Sequence, residues 1–448
     1  MAEGASRATE GAPDALDDTL PDAAPRGLVL RAALGAAVGF AAAWALVTWL
    51  TSIGLYGDPS IAVDVRLYQH WGREILLPRV PYLDFGIEYP PLGWATFVVP
   101  ALIVGPDAGE KAYRLAFQLL MAGCGIALAV TTVATVGALG GGRRELIVAG
   151  ALVAATPLLI GPTILARFDL WPVLLTGLAL WSIASRRDTW AAVFIGLGAL
   201  AKLYPLLLAP FLVVYVWRRD GPRAAVRWGL VLAFVLLLGF GPFLVLAPAD
   251  TLSMVVRQLE RPLHIETLGA VVLMLLNELA GLPVRVVHSF DSWNLAGALP
   301  DAIAAAQTLA SIALLGLLLL GFMRARPTRG SLLVAVAAAM CVYVALSKVF
   351  SPQYVIWLVP FVAVLPAVPR GAVPRGAVRP SLVAVGLLVA AILLTSLYYP
   401  GNYWPFVNGR ELGWTLVILA RNLLLCGLTA SLVLALFDLP RGSLRIRV

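Results

Sequence analysis

The sequence predicts an all-α fold, a polytopic membrane helix bundle of about 12 transmembrane helices with interfacial helices in the first extracytoplasmic loop. Three observations carry that expectation. Hydrophobic residues fill 60% of 448 positions against 13% charged, and mean hydropathy is +0.88, whereas a soluble domain is nearer a quarter charged. Apolar segments of roughly 15–25 residues recur along the chain, long enough to cross or nearly cross about 30 Å of hydrocarbon. Arginines fall in clusters between those segments, as they do where charge sets membrane orientation.

Residues 1–26 are rich in Ala, Asp, Glu and Pro and lack apolar periodicity. They read as a disordered cytoplasmic tail, because such a segment buries too little surface to offset its ordering entropy. Residues 27–448 form the integral membrane domain, with a large extracytoplasmic loop over 54–110. No cleavage signal precedes the first span, which is expected to stay as an anchor. Candidate spans start near Gly27, Lys111, Glu145, Leu170, Asp188, Tyr204, Arg223, Asp301, Ser331, Pro352, Pro380 and Leu412. Arginines cluster at residues 143–144, 186–187, 218–227, 324–329, 370–379 and 441–447. Placing every cluster in the cytoplasm makes twelve spans alternate without conflict, with both termini inside. Pro91 to Gly105 resists this scheme, since counting it as a span reverses every later cluster. It reads as a helix lying in or dipping into the outer interface. No strand alternation of useful length and no internal repeat stands out.

The net charge of +8 reads as part of this topology signal, with no nucleic-acid partner. Cys124, Cys341 and Cys426 sit in apolar runs, and His70, His264 and His288 are too scattered for a metal cluster. There is no P-loop and no Gly-rich turn after a strand, hence no site for a nucleotide-linked donor.

The polar motifs between spans that lack arginine clusters all fall on one expected face, the extracytoplasmic one. The longest, Val63 to Gly93, holds Asp64, Glu74, Asp84 and Glu88 among Tyr68, Trp71, Tyr82, Phe85 and Tyr89. Carboxylates at a membrane face are costly and mark functional sites. Asp64, Tyr68 and Trp71 share one helical face, with Asp64 placed as a general base or, more plainly, as a helix N-cap. Asp84 and Glu88, in the proline-rich turn, suit sugar hydroxyls or a divalent ion, or are surface turn carboxylates. Arg167 and Asp169 are ligand contacts or a local pair closing a turn. Lys202 and Lys348 are either partners for an anionic leaving group or cations snorkelling to the interface.

These residues resemble a known pattern. Asp64, Tyr68 and Trp71 in D-x-x-x-Y-x-x-W, followed by P-Y-x-D-F-x-x-E-Y-P-P-L from Pro81 to Leu92, are similar to the C-type superfamily of integral-membrane glycosyltransferases. The stretches G-x-x-A-K-L-Y-P (Gly198 to Pro205) and S-P-Q-Y-x-x-W-L-x-P (Ser351 to Pro360) resemble its bacterial branch of polyprenyl-phosphate-mannose-dependent α-mannosyltransferases. The resemblance implies inverting transfer of a hexose, here mannose, from a polyprenyl-phosphate sugar to a glycolipid or cell-envelope glycan. It implies a multi-pass protein of a bacterial plasma membrane with its active site outside. Asp64 takes the catalytic role. Tyr68, Trp71, Asp84, Glu88, Tyr89, Arg167, Asp169, Lys202, Tyr204, Lys348, Gln353 and Tyr354 become substrate-binding candidates. No cofactor is implied, and metal dependence stays open because the chain lacks an adjacent acidic pair in this loop. The alternatives are a flippase of lipid-linked sugars, a glycan polymerase or ligase, and a membrane scaffold. The enzyme reading requires Asp64 to share a cavity with cations from later helix ends, whereas a flippase would carry ionisable residues near mid-membrane and broken helices in matching halves.

Overall fold

The structure is a computed structural model describing residues 23–56, 64–368, 380–409 and 411–437. Most of the expected tail and the arginine clusters at 370–379 and 441–447 lie outside the described residues. In chain order the helices begin with α1 (Arg26–Ser52), α2 (Asp64–Leu76), α3 (Ala95–Val104), α4 (Glu110–Ala138) and α5 (Arg143–Ile160). Next come α6 (Leu170–Ala184), α7 (Asp188–Ala201), α8 (Ala209–Asp220), α9 (Pro222–Leu246) and α10 (Pro248–Glu260). A short strand β1 (Leu263–His264), helix α11 (Leu268–Ala280) and strands β2 (Arg285–Ser289) and β3 (Ser292–Ala296) follow. The chain ends with α12 (Ala298–Arg324), α13 (Arg329–Leu346), α14 (Tyr354–Trp357), α15 (Val359–Val364), α16 (Pro380–Tyr398), α17 (Tyr403–Val407) and α18 (Leu412–Phe437).

Among the described residues seven helices are long and apolar enough to cross a bilayer, namely α1, α4, α5 with its 3-10 extension, α9, α12, α13 and α18. Each of the other expected spans coincides with a shorter apolar stretch, in α6, α7, α8, α14–α15 and Leu382–Tyr398 of α16, so the fold is an all-α membrane bundle whose count of twelve rests on these shorter pieces. Their brevity has local causes. Pro162 and Pro205 open 3-10 turns just before α6 and α8. Such breaks are tolerated inside a bundle, where neighbours satisfy the freed backbone groups.

Helix α9 leaves Leu230, Phe234, Leu237 and Leu238 exposed, each by more than 60%. In water that face would be a liability; against lipid tails, themselves as apolar as leucine, it costs nothing. Helix α13, by contrast, is buried along nearly its whole length. The segment expected at the interface forms α3, ten residues or about 15 Å, too short to cross alone. It packs on α2 and α4.

One departure is a small antiparallel sheet in the order β1-β3-β2. The β2–β3 hairpin turns through Phe290 and Asp291, both at positive φ, the handedness that matches strand twist in two-residue turns. Two five-residue strands and one of two carry too little alternation to stand out in sequence.

Candidate active site

Helix α2 is fixed before its acid is placed. A Cβ at Gly72 would lie 2.4 Å from the carbonyl oxygen of Phe97, so glycine is what lets α2 close onto α3. One turn earlier, buried Tyr68 stacks on Phe97 at 4.5 Å between centroids and meets the edge of Phe168 at 5.7 Å. Asp64 opens this helix. The Tyr68 hydroxyl donates to its Oδ2 at 3.3 Å, and burial pushes that hydroxyl's pKa well up, keeping it a donor.

The same carboxylate forms an ion pair with the Arg167 guanidinium, the side chains being 27% and 17% exposed. Arg167 also donates to the Tyr399 hydroxyl at 3.2 Å, and its buried Nε has no partner among the described residues. Arg167 and Asp169 do not close a turn between themselves. They face apart around Phe168, whose ring packs against Tyr68, Tyr89 and Phe97.

Asp169, 1% exposed, is the centre of a second pair. Its Oδ1 accepts from Lys202 Nζ at 2.7 Å and from Trp357 Nε1 at 2.6 Å, while Oδ2 has no partner among the described residues. Lys202 is not a snorkelling cation. Its ammonium lies over the rings of Phe168, Tyr354 and Trp357 at 4.8, 5.7 and 4.9 Å, a setting that holds a partly desolvated cation. Trp357 is flanked by Tyr354 at 3.9 Å and Tyr204 at 4.4 Å, and the Tyr204 hydroxyl pairs with Thr176. Beside them, Gln353 is buried, its Oε1 without a partner among the described residues. The first loop is sewn to this corner by backbone, Leu92 N–H donating to the Leu200 carbonyl at 2.8 Å. A Cβ at Gly93 would sit 2.9 Å from the Ala201 carbonyl oxygen.

The remaining sequence candidates stand outside this pair of ion pairs. Trp71 stacks on Phe85 at 5.6 Å and is half-buried. Asp84 is exposed and accepts from the Val80 N–H at 2.6 Å, which is the role of a turn carboxylate. Glu88, on the rim, pairs with Arg257 of α10. Tyr89 is half-buried, its carbonyl accepting from Tyr82 and Trp94. Lys348 reaches the Leu259 carbonyl instead of Asp64, and burial lowers its pKa. Among the described residues no group of three or more His, Cys, Asp or Glu side chains could hold a metal.

Two deeply buried charges nearby were barely visible in the sequence, where Glu266 is one weak polar signal among several between Pro248 and Pro300 and Arg421 was missed. Glu266, just after β1, and Arg421, ten residues into α18, are 1% and 0% exposed with 3.5 Å between Oε2 and a guanidinium nitrogen. Arg421 also donates to the Glu266 carbonyl at 2.7 Å and to the Tyr398 hydroxyl at 3.0 Å, and Tyr398 donates to the Glu266 carboxylate. An Arg-Asn pair inside an otherwise apolar helix was the available signal. Burial pushes Glu266 up to about 7, against the pull of Arg421 and Tyr398. Adjacent His264 is pushed down to about 3, chiefly by burial and then by Arg261 and Arg421. Its Nδ1 faces the Glu266 N–H at 3.4 Å, as a neutral ring requires.

What the site offers, then, is an acid held by a guanidinium, beside an aromatic-caged ammonium, at one end of a membrane bundle. That arrangement suits proton transfer next to developing negative charge. No curated protein matches the chain. The family model for glycosyltransferase family 87 matches residues 87–352, which takes in Arg167, Asp169, Lys202, Glu266 and Lys348 and starts after Asp64. The chain belongs to glycosyltransferase family 87, a family of C-type membrane glycosyltransferases.

Proposed function

We propose that this membrane glycosyltransferase moves a hexose, mannose by the motif resemblance, from a polyprenyl-phosphate sugar to a glycolipid or cell-envelope glycan with inversion. The protein sits in a bacterial plasma membrane with both termini cytoplasmic and works on the extracytoplasmic face, where nucleotide sugars are absent. The observation that carries this reading is the contact between Asp64 and Arg167, with the Asp169–Lys202 pair two residues further along. The flippase alternative has no observation in its favour.

The chemistry follows from charge balance. Paired with Arg167, the Asp64 carboxylate is a reluctant proton acceptor, since a neighbouring cation favours its ionised form. A donor phosphate competes for the guanidinium, which binds phosphate oxygens in a fork geometry. Asp64 is then free to take the proton of the acceptor hydroxyl as that oxygen bonds to the anomeric carbon. The bond from that carbon to the phosphate oxygen breaks, and the polyprenyl phosphate leaves with the electron pair. Arg167 meets its charge, with Lys202 as a second cation nearby. A single displacement inverts the anomeric centre. Tyr204, Gln353 and Tyr354 line the Lys202 corner as contacts for the sugar, whereas Glu88, Trp71 and Asp84 sit towards the rim for the acceptor.

Purified full-length protein incubated with polyprenyl-phosphate mannose and an acceptor glycolipid tests this directly. Transfer by the wild type is expected. Translocation of unaltered lipid-linked sugar, without transfer, would support the flippase instead.

A further inference from the structure

Glu266 is a buried carboxylate that the proposed chemistry does not use, yet it faces the site from behind. Four elements bring groups to it: Arg421 and Asn422 from α18, Tyr398 from α16, His264 from β1, and Arg167 from the turn before α6, whose positive charge stabilises the Glu266 anion. Tyr403 of α17 and Arg261 are the other titratable neighbours, coupled to Glu266 and His264 respectively. Tyr398 is locked by both members of the Glu266–Arg421 pair, and the next residue, Tyr399, presents the hydroxyl that receives Arg167. Arg421 is further held over the Phe350 ring at 4.0 Å. So Arg167 stands among Asp64, Tyr399 and the field of Glu266.

We infer that Glu266 is a positioning residue for Arg167: with Tyr398 and Arg421 it fixes the Tyr399 hydroxyl against the guanidinium and remains its anionic neighbour when a donor phosphate displaces Asp64. The inference rests on the donor reading above for its catalytic consequence, but not for its geometry. A cation whose paired carboxylate is exchanged for a phosphate mid-reaction stays in register through the groups that remain around it, and a displacement of about 1 Å in such a group is worth roughly 100-fold in rate. Protonated Glu266 supplies no such charge.

Two measurements on the full chain decide it. The first is transfer against pH for wild type, Glu266→Gln and Glu266→Asp. Wild-type kcat should rise with pH through about 7, the value to which burial pushes Glu266. Glu266→Gln should run ~10–100-fold slower above that pH and lose the rise, and Glu266→Asp should restore part of both. A Glu266→Gln profile that keeps the rise overturns the proposal. Should Glu266→Gln fail to fold, Tyr398→Phe takes its place. It removes a hydrogen bond that favours the ionised carboxylate, so the rise should move to higher pH, and an unmoved rise refutes the proposal. The second measurement is the structure of Glu266→Gln, in which the Arg167–Tyr399 contact should be lost; its retention also overturns the proposal. If the wild type transfers nothing from polyprenyl-phosphate sugars, the donor reading fails, and the structural comparison alone judges Glu266.

Discussion

Replacing Lys202 by Met removes the cation from a carboxylate that has almost no water. At 2.7 Å the pair is worth about 6 kcal/mol of Coulomb energy at an effective dielectric of 20, before desolvation of both ions is subtracted. Breaking a buried pair by deleting one partner costs roughly 3–5 kcal/mol. Lys202 is 22% exposed, which screens part of this, so about 3 kcal/mol is expected for Lys202→Met. Asp169→Asn should cost a similar amount, because it strands the ammonium and leaves the Trp357 N–H an acceptor only in the Asn oxygen. The double variant should cost far less than the sum, since both charges are then gone. Apparent unfolding free energies in mixed detergent micelles, read by tryptophan fluorescence, measure all three. Single variants costing under about 0.5 kcal/mol each, or strict additivity, would refute the idea that this pair is a desolvated unit.

Other expectations follow from the same geometry. Arg167→Gln should cut transfer by about 10²–10³, the usual effect of removing one donor to a developing anion, and Arg167→Lys should restore only part of it; initial rates at saturating donor measure both. Gly72→Ala should cost about 1–3 kcal/mol through overpacking against the Phe97 carbonyl, with α2 and hence Asp64 displaced, seen as lower stability together with lower kcat. Acid should expose His264. Its folded pKa of about 3 lies below the ordinary 6.5, so the stability it contributes is full above pH 6.5 and is lost as pH falls towards 3. Wild type should therefore lose stability relative to His264→Gln over that window. Glu266 works oppositely, its contribution being full below the ordinary 4.5 and lost as pH rises through about 7.

The bundle was legible because hydrophobicity is read in bulk. Every expected span start coincides with a helix, and α3 is as short as the proline pair and Gly105 suggested. The polar corner was partly legible: Arg167, Asp169 and Lys202 are separated by dozens of residues from Asp64 but all flank turns at helix ends. Their pairing was not, because a sequence shows that Arg167 and Asp169 are neighbours without showing that Phe168 turns them apart. Lys348 and Asp84 look equivalent to Lys202 and Asp64 in one dimension; only packing sends the first to a backbone carbonyl and the second to its own turn. Glu266 stood out only weakly, and its pairing was hidden because Arg421 lies 155 residues away in a helix that reads as a plain span.

The most direct measurement is sugar transfer from a polyprenyl-phosphate donor by wild type and Asp64→Asn, both shown to be folded. The Asn side chain keeps the shape and the Tyr68 contact but cannot accept the proton, so the account predicts a loss of about 10²–10⁴ in kcat. Equal turnover by the two proteins would contradict it.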